Sequence, residues 1–152
     1  MEKISPTDFE KFVLDMLSKE FSKYDNCTIN HDETIKAHDG NYQIDIYIEH
    51  DVMGITYKTL VECKYYTCPI KREVVAVLHS KIQSCGAHKG ILVSSSNFQK
   101  GAMSFAREHG IALIQVSLEE NSKPRLVTNV KRQVIHSSSN NLRAVLIAGD
   151  IY

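Results

Sequence analysis

The sequence has no apolar run of 18 residues, and its opening MEKISPTDFEKF is charged from the second residue. The first absence argues against a membrane-spanning helix, the second against a secretory signal. A soluble, cytoplasmic protein with no membrane partner is the expectation. Cysteine is sparse, at 27, 63, 68 and 85, and no pair has C-x2-C spacing. Structural zinc is therefore disfavoured even with His79 and His88 available, and reduced thiols are expected. No G-x-S-x-G, G-x-G-x-x-G or Walker A loop occurs, which leaves serine-hydrolase and nucleotide-binding chemistry without support. No internal repeat is present.

Net charge is absent too, with 18 basic and 18 acidic residues. Their distribution is uneven. Residues 1–60 carry six Lys and no Arg against seven Asp and five Glu, a net of −6. Residues 61–152 carry seven Lys and five Arg against one Asp and five Glu, a net of +6. Such asymmetry points either to an anionic partner on the basic half or to salt-bridged pairing of the two halves. At 152 residues, 43% apolar and 24% charged, the composition is that of one globular domain.

Ser5-Pro6-Thr7-Asp8 reads as a helix start, with Ser as cap, Pro at the first position and Asp in the first turn. Phe9, Phe12, Val13, Met16, Leu17 and Phe21 then make one apolar stripe. Glu10 falls inside that stripe, as either a site residue or a snorkelling bystander. Residues 27–35, 42–49 and 55–65 read as strands, with Asp39-Gly40 and Met53-Gly54 as turns. A helix is predicted over 70–85, with Val74, Val77, Leu78, Ile82 and Cys85 on its apolar side. Gly90 to Ser94 reads as a buried parallel strand, the serines 94–96 with Asn97 as a cap for a helix over 98–109, and 111–116 as a further buried strand. The expected order is α-β-β-β-α-β-α-β, an α/β fold with a mixed sheet flanked by helices.

Residues 1–116 form the expected catalytic domain, and 117–152 an extension. In it, Leu126-Val127, Val134-Ile135 and Ala144 to Ile147 are candidate short strands around a polar 137–141 loop. The chain ends soon after an apolar run, as a truncation would, or as a strand pairing with another copy.

One constellation looks like chemistry. In Leu60-Val61-Glu62-Cys63-Lys64-Tyr65, Glu62 and Lys64 project from the same strand face. In the preceding strand, Ile44, Ile46 and Ile48 are expected on one face and Gln43, Asp45 and Tyr47 on the other. Adjacent strands would bring Asp45 and Glu62 together as hard oxygen ligands suited to magnesium, with Lys64 beside them. The bland alternative is a solvated sheet face with an ordinary Glu–Lys contact. Against it, helices cover both faces, so unpaired charge there costs stability.

This order of elements, with a lone Asp in the second strand and Glu-x-Lys in the third, resembles the PD-(D/E)xK nuclease superfamily, and within it the Mrr-type restriction endonuclease domains. The residues that carry the resemblance are Phe9 to Val13, Asp39-Gly40 with Gln43 to Ile46, Val61 to Lys64, Lys89 to Phe98, and Ala102, Ala106 and Gly110-Ile111. It covers roughly residues 5–116. Ile44 departs from the proline often found before the Asp, Gln43 from the usual glycine, and Glu62 from the glutamine of many Mrr-type domains. The last is a better magnesium ligand.

The resemblance implies an endonuclease of restriction or defence type that hydrolyses DNA phosphodiesters with Mg2+ (or Mn2+). Asp45, Glu62 and the carbonyl of Cys63 would hold the metal, and Lys64 would act on water and phosphate. Glu10 matches a helix carboxylate that assists the metal in some members, and Gln83 a helix glutamine of the Mrr type. Lys71, Arg72, Lys89, Lys100 and Arg107 are candidate DNA contacts. A non-catalytic DNA-binding or assembly module of the same fold is the alternative, as is a junction-resolving nuclease. No helix-turn-helix or zinc finger offers base readout, so specificity needs loops, a further domain or a partner. Cutting both strands at one locus favours a homodimer, with the apolar C-terminal run as its candidate interface.

Overall fold

The computed structural model describes residues 4–117, 134–136 and 143–147. Helix α1 (Pro6–Phe21) precedes β1 (Cys27–Ala37), β2 (Gly40–Val52) and β3 (Ile55–Lys64). Then come α2 (Arg72–Ser84), β4 (Lys89–Ser94), α3 (Lys100–Glu108), β5 (Ala112–Ser117), β6 (Val134–His136) and β7 (Arg143–Ile147). The α1 start is built as its residues dictate. Ser5 Oγ accepts the Asp8 N–H at 3.1 Å, while Asp8 accepts the Ser5 N–H at 3.0 Å, a reciprocal box that satisfies two otherwise orphaned donors.

The strands form one mixed sheet in the order β1-β2-β3-β4-β5-β7-β6. β1, β2 and β3 form an antiparallel meander, and β3, β4 and β5 run parallel. The α/β expectation holds: a mixed sheet flanked by helices. Beyond it, β7 pairs antiparallel with β5 of its own chain, and β6 with β7. Val134-Ile135 and the 144–147 run are thus strands of this sheet, while Leu126-Val127 and the 137–141 loop lie outside the described residues. No helix among the described residues is long and apolar enough to cross a membrane.

Two apolar clusters sandwich the sheet. Phe9, Val13, Met16 and Leu17 of α1 pack on Ile46, Ile48, Val61, Cys63 and Val93. On the other face, Val75, Leu78 and Ile82 of α2 and Ala102 and Ala106 of α3 pack on Ile44, Leu60, Leu92 and Leu113. The α2 stripe is rotated from its prediction: Val75 is buried, and Val77 is 58% exposed. Gly90 is the contact point of helix and sheet, since a Cβ there would collide with the Ile82 side chain and lie 3.5 Å from Leu78 Cδ2.

The serine run does not cap α3. Its cap position is Gln99, with no side-chain cap bond. The serines tie two loops together instead: Ser95 Oγ donates to the Tyr66 carbonyl at 2.9 Å and Ser96 Oγ to that of Cys68 at 2.7 Å. Ile70 and Phe98 extend this link as a parallel bridge, with Ile70 N–H to the Asn97 carbonyl at 2.7 Å and Gln99 N–H to the Ile70 carbonyl at 2.9 Å.

Candidate active site

Asp45 sits where the sheet loses its regularity. The β2–β3 ladder runs from Val52↔Ile55 to Ile46↔Val61 and ends one residue short of Asp45. On the other side, the β1–β2 register skips Asp32, whose φ is 55°. Strict alternation through this stretch therefore fails. Ile44 packs on the α2/α3 side, whereas Ile46 and Ile48 pack under α1. In the gap, Asp45 Oδ2 accepts the Cys63 N–H at 2.7 Å, a side chain doing the work of a strand neighbour. This fixes Asp45 beside β3, next to Glu62.

Glu62 faces α2 and is 5% exposed. A carboxylate that dry needs partners, and both oxygens have one. Lys64 Nζ lies 3.5 Å from Oε2, and Lys81 of α2 binds Oε1. Lys81 Nζ also donates to the Gln43 carbonyl at 3.2 Å. Gln43 is itself held, with Thr34 Oγ1 donating to its Oε1 at 2.9 Å and its own amide donating to Asp32. Glu62, Lys64 and Lys81 thus form one ion-paired group, and Asp45, bound to the Cys63 N–H between Glu62 and Lys64, lies within reach of their charges.

Charge in this group is held at a cost. Burial, then the Glu62 and Glu10 charges, push the Asp45 carboxyl above its ordinary value, against the Cys63 N–H and Lys64. Burial likewise pushes the Cys63 thiol up; it packs beneath α1 and offers no thiolate to the site. Among the described residues, no three His, Cys, Asp or Glu side chains form a metal-holding cluster. That arrangement does not suit a closed all-protein cage of the zinc type. Two neighbouring carboxylates do suit magnesium, which takes one or two protein carboxylates and keeps several waters.

The other sequence candidates separate. Glu10 stands at the margin, its Oε2 3.5 Å from His31 Nε2 of β1. Gln83 is on the exposed side of α2, two residues past the side chain that does reach the site. Lys81 was missed because an exposed-looking lysine in a helix carries no local signal of a partner 19 positions earlier. Lys71 precedes α2, where Arg72 opens the helix, and Lys100 opens α3, all beside the linked 70 and 98 loops. Lys89 and Arg107 lie elsewhere. Lys89 begins β4, whose other end, Ser94, pairs beside Lys64, and Arg107 is in the last turn of α3.

The family of Mrr-type catalytic domains, described as restriction endonuclease, matches residues 1–118. The chain belongs to the Mrr-type restriction endonuclease family. A crystal structure of a protein of unknown function, AF1548, shares the fold, with a TM-score of 0.57 and 16% identity over 68% of this chain and 54% of that one. This Mrr-type chain therefore spans about half the length of that relative. The MspJI restriction endonuclease in complex with a 27-mer oligonucleotide is also similar, with a TM-score of 0.48, 15% identity, and 69% and 24% of the two chains covered. The DNA modification-dependent restriction endonuclease AspBHI gives 0.43, 14%, 73% and 33%. No curated protein matches.

Proposed function

We propose that this Mrr-type domain is a magnesium-dependent endonuclease that hydrolyses DNA phosphodiester bonds. The observation that carries the reading is the placement of Asp45 and Glu62 on adjacent strands, with the Lys64 ammonium 3.5 Å from Glu62. Asp45 and Glu62 would hold the ion, with the Cys63 carbonyl as a further candidate ligand. When bound, Mg2+ would lower the pKa of water and polarise the phosphate. Lys64, fixed by Glu62, would orient that water and offset charge on the phosphate oxygens. Asp45, held by the Cys63 N–H through Oδ2, would offer its other oxygen to the ion. Glu10 would assist from α1.

The test is cleavage of supercoiled plasmid, modified and unmodified, with and without magnesium. Lys64→Ala is expected to lose cleavage while retaining most metal and DNA binding, because its ammonium acts on water and phosphate rather than on the ion. Full cleavage by that variant would reduce Lys64 to a structural partner of Glu62. The second reading, a non-catalytic DNA-binding module, is favoured by one feature: both Glu62 oxygens already hold an ammonium. DNA binding without metal-dependent cleavage would establish it.

A further inference from the structure

We propose that Lys81 is a positioning residue and resident counter-ion of this site, holding Glu62 before metal binds and yielding it when metal does. The inference rests on the metal-site reading of Asp45 and Glu62. Glu62 is 5% exposed, and a lone carboxylate there would be strongly destabilised. Lys64 reaches only to 3.5 Å, so Lys81 is its closer cation. Lys81 is also anchored at a second point, the Gln43 carbonyl at 3.2 Å, which belongs to the strand that carries Asp45. One ammonium therefore bridges the two strands that would supply the metal ligands.

Together the two carboxylates and two ammoniums are formally neutral, so the site without metal is already compensated. A divalent ion at Glu62 would meet the Lys81 charge at short range and repel it. Lys81 is able to yield. Its side chain is 22% exposed, it is attached by a flexible four-carbon stem, and α2 presents it at the helix's last turn. Lys64 has the same stem but stands on the strand that carries Glu62, its backbone paired in the β3–β4 ladder opposite Ser94.

The experiment compares wild type with Lys81→Met, Lys81→Gln and Lys81→Arg at mildly alkaline pH. It reads apo melting temperature and the affinity for Mn2+, by electron paramagnetic resonance, and for Mg2+, by calorimetry. Lys81→Met removes the charge and keeps the stem, so the apo protein should melt lower while metal binds roughly five- to tenfold tighter. Lys81→Gln keeps a neutral donor for Glu62 and should show the tighter binding even if Lys81→Met does not fold. Lys81→Arg should bind metal like wild type. A merely structural ion pair would lower the melting temperature and leave metal affinity unchanged, and that result overturns the proposal. Weaker binding in the neutral variants overturns it as well. Absence of metal binding in wild type overturns the site reading itself, a failure recognisable because it precedes any comparison of variants.

Discussion

At the scale of single residues, Asp45 carries the clearest energetic signature. Its carboxyl is raised above the ordinary 3.8, first by burial and then by the neighbouring Glu62 and Glu10 charges. A raised acid binds its proton more tightly in the folded protein. The stability it contributes is present below the unfolded value and is lost as pH rises through the folded one. At neutral pH, therefore, Asp45 is a burden on the apo protein. Asp45→Asn should melt at or above wild type at pH 7, with the difference shrinking below pH 4. Magnesium reverses the comparison. With a Kd of about 1 mM and ~10 mM metal, wild type gains roughly 1.4 kcal/mol. That raises its melting temperature by roughly 3–6 °C, and the increment should nearly vanish in Asp45→Asn. Equal responses to magnesium in the two proteins would remove the metal site.

At the scale of elements, the seat of α2 governs what reaches Glu62. Gly90 lets Ile82 lie directly on β4, and Lys81 is the residue just before Ile82 in the helix. Gly90→Ala should force Ile82 aside and cost about 1–3 kcal/mol of stability, readable as a lower denaturant midpoint. A midpoint unchanged from wild type would show that Ile82 repacks freely. These elements were legible in the sequence to different depths. The α1 cap and stripe are local, so Ser5, Asp8, Phe9 and Val13 announce their positions without tertiary help. The β4 run is legible because burial on both faces leaves an unbroken apolar segment. The face of α2 is not: Val74, Val75, Val77 and Leu78 offer two adjacent stripes, and only packing against Leu60 and Leu92 selects Val75. The break at Asp45 is invisible to alternation, because it depends on where two ladders end. Asp45, Glu62 and Lys64 were readable as a group since strand pairing is sequential there. Lys81 was not, because it comes from another element by a contact across the sheet face.

At the scale of the whole molecule, the question is where DNA would lie. Among the described residues, the candidate contacts Lys71, Arg72, Lys89, Lys100 and Arg107 are spread over both ends of β4 and α3, and only one of those ends adjoins Lys64. There the Ile70–Phe98 bridge brings the starts of α2 and α3 together, and a Cβ at Gly101 would stand 3.8 Å from Arg72 Cβ. Arg72 is held over the Phe105 ring, 4.9 Å from its centroid, which limits the freedom it would lose on binding a phosphate. Lys71, Arg72 and Lys100 are therefore the expected phosphate contacts, and Lys89 and Arg107 are expected to matter less. Counterion release makes this measurable, since each phosphate contact adds about 0.9 to the slope of log affinity against log salt. Replacing Lys71, Arg72 and Lys100 with Gln should flatten that slope by roughly 2–3. Replacing Lys89 and Arg107 should flatten it by less than about 1. The reverse order would place DNA at the opposite end of β4, away from Lys64. Cleavage by Asp45 and Glu62 would then be geometrically excluded even if the protein bound DNA tightly.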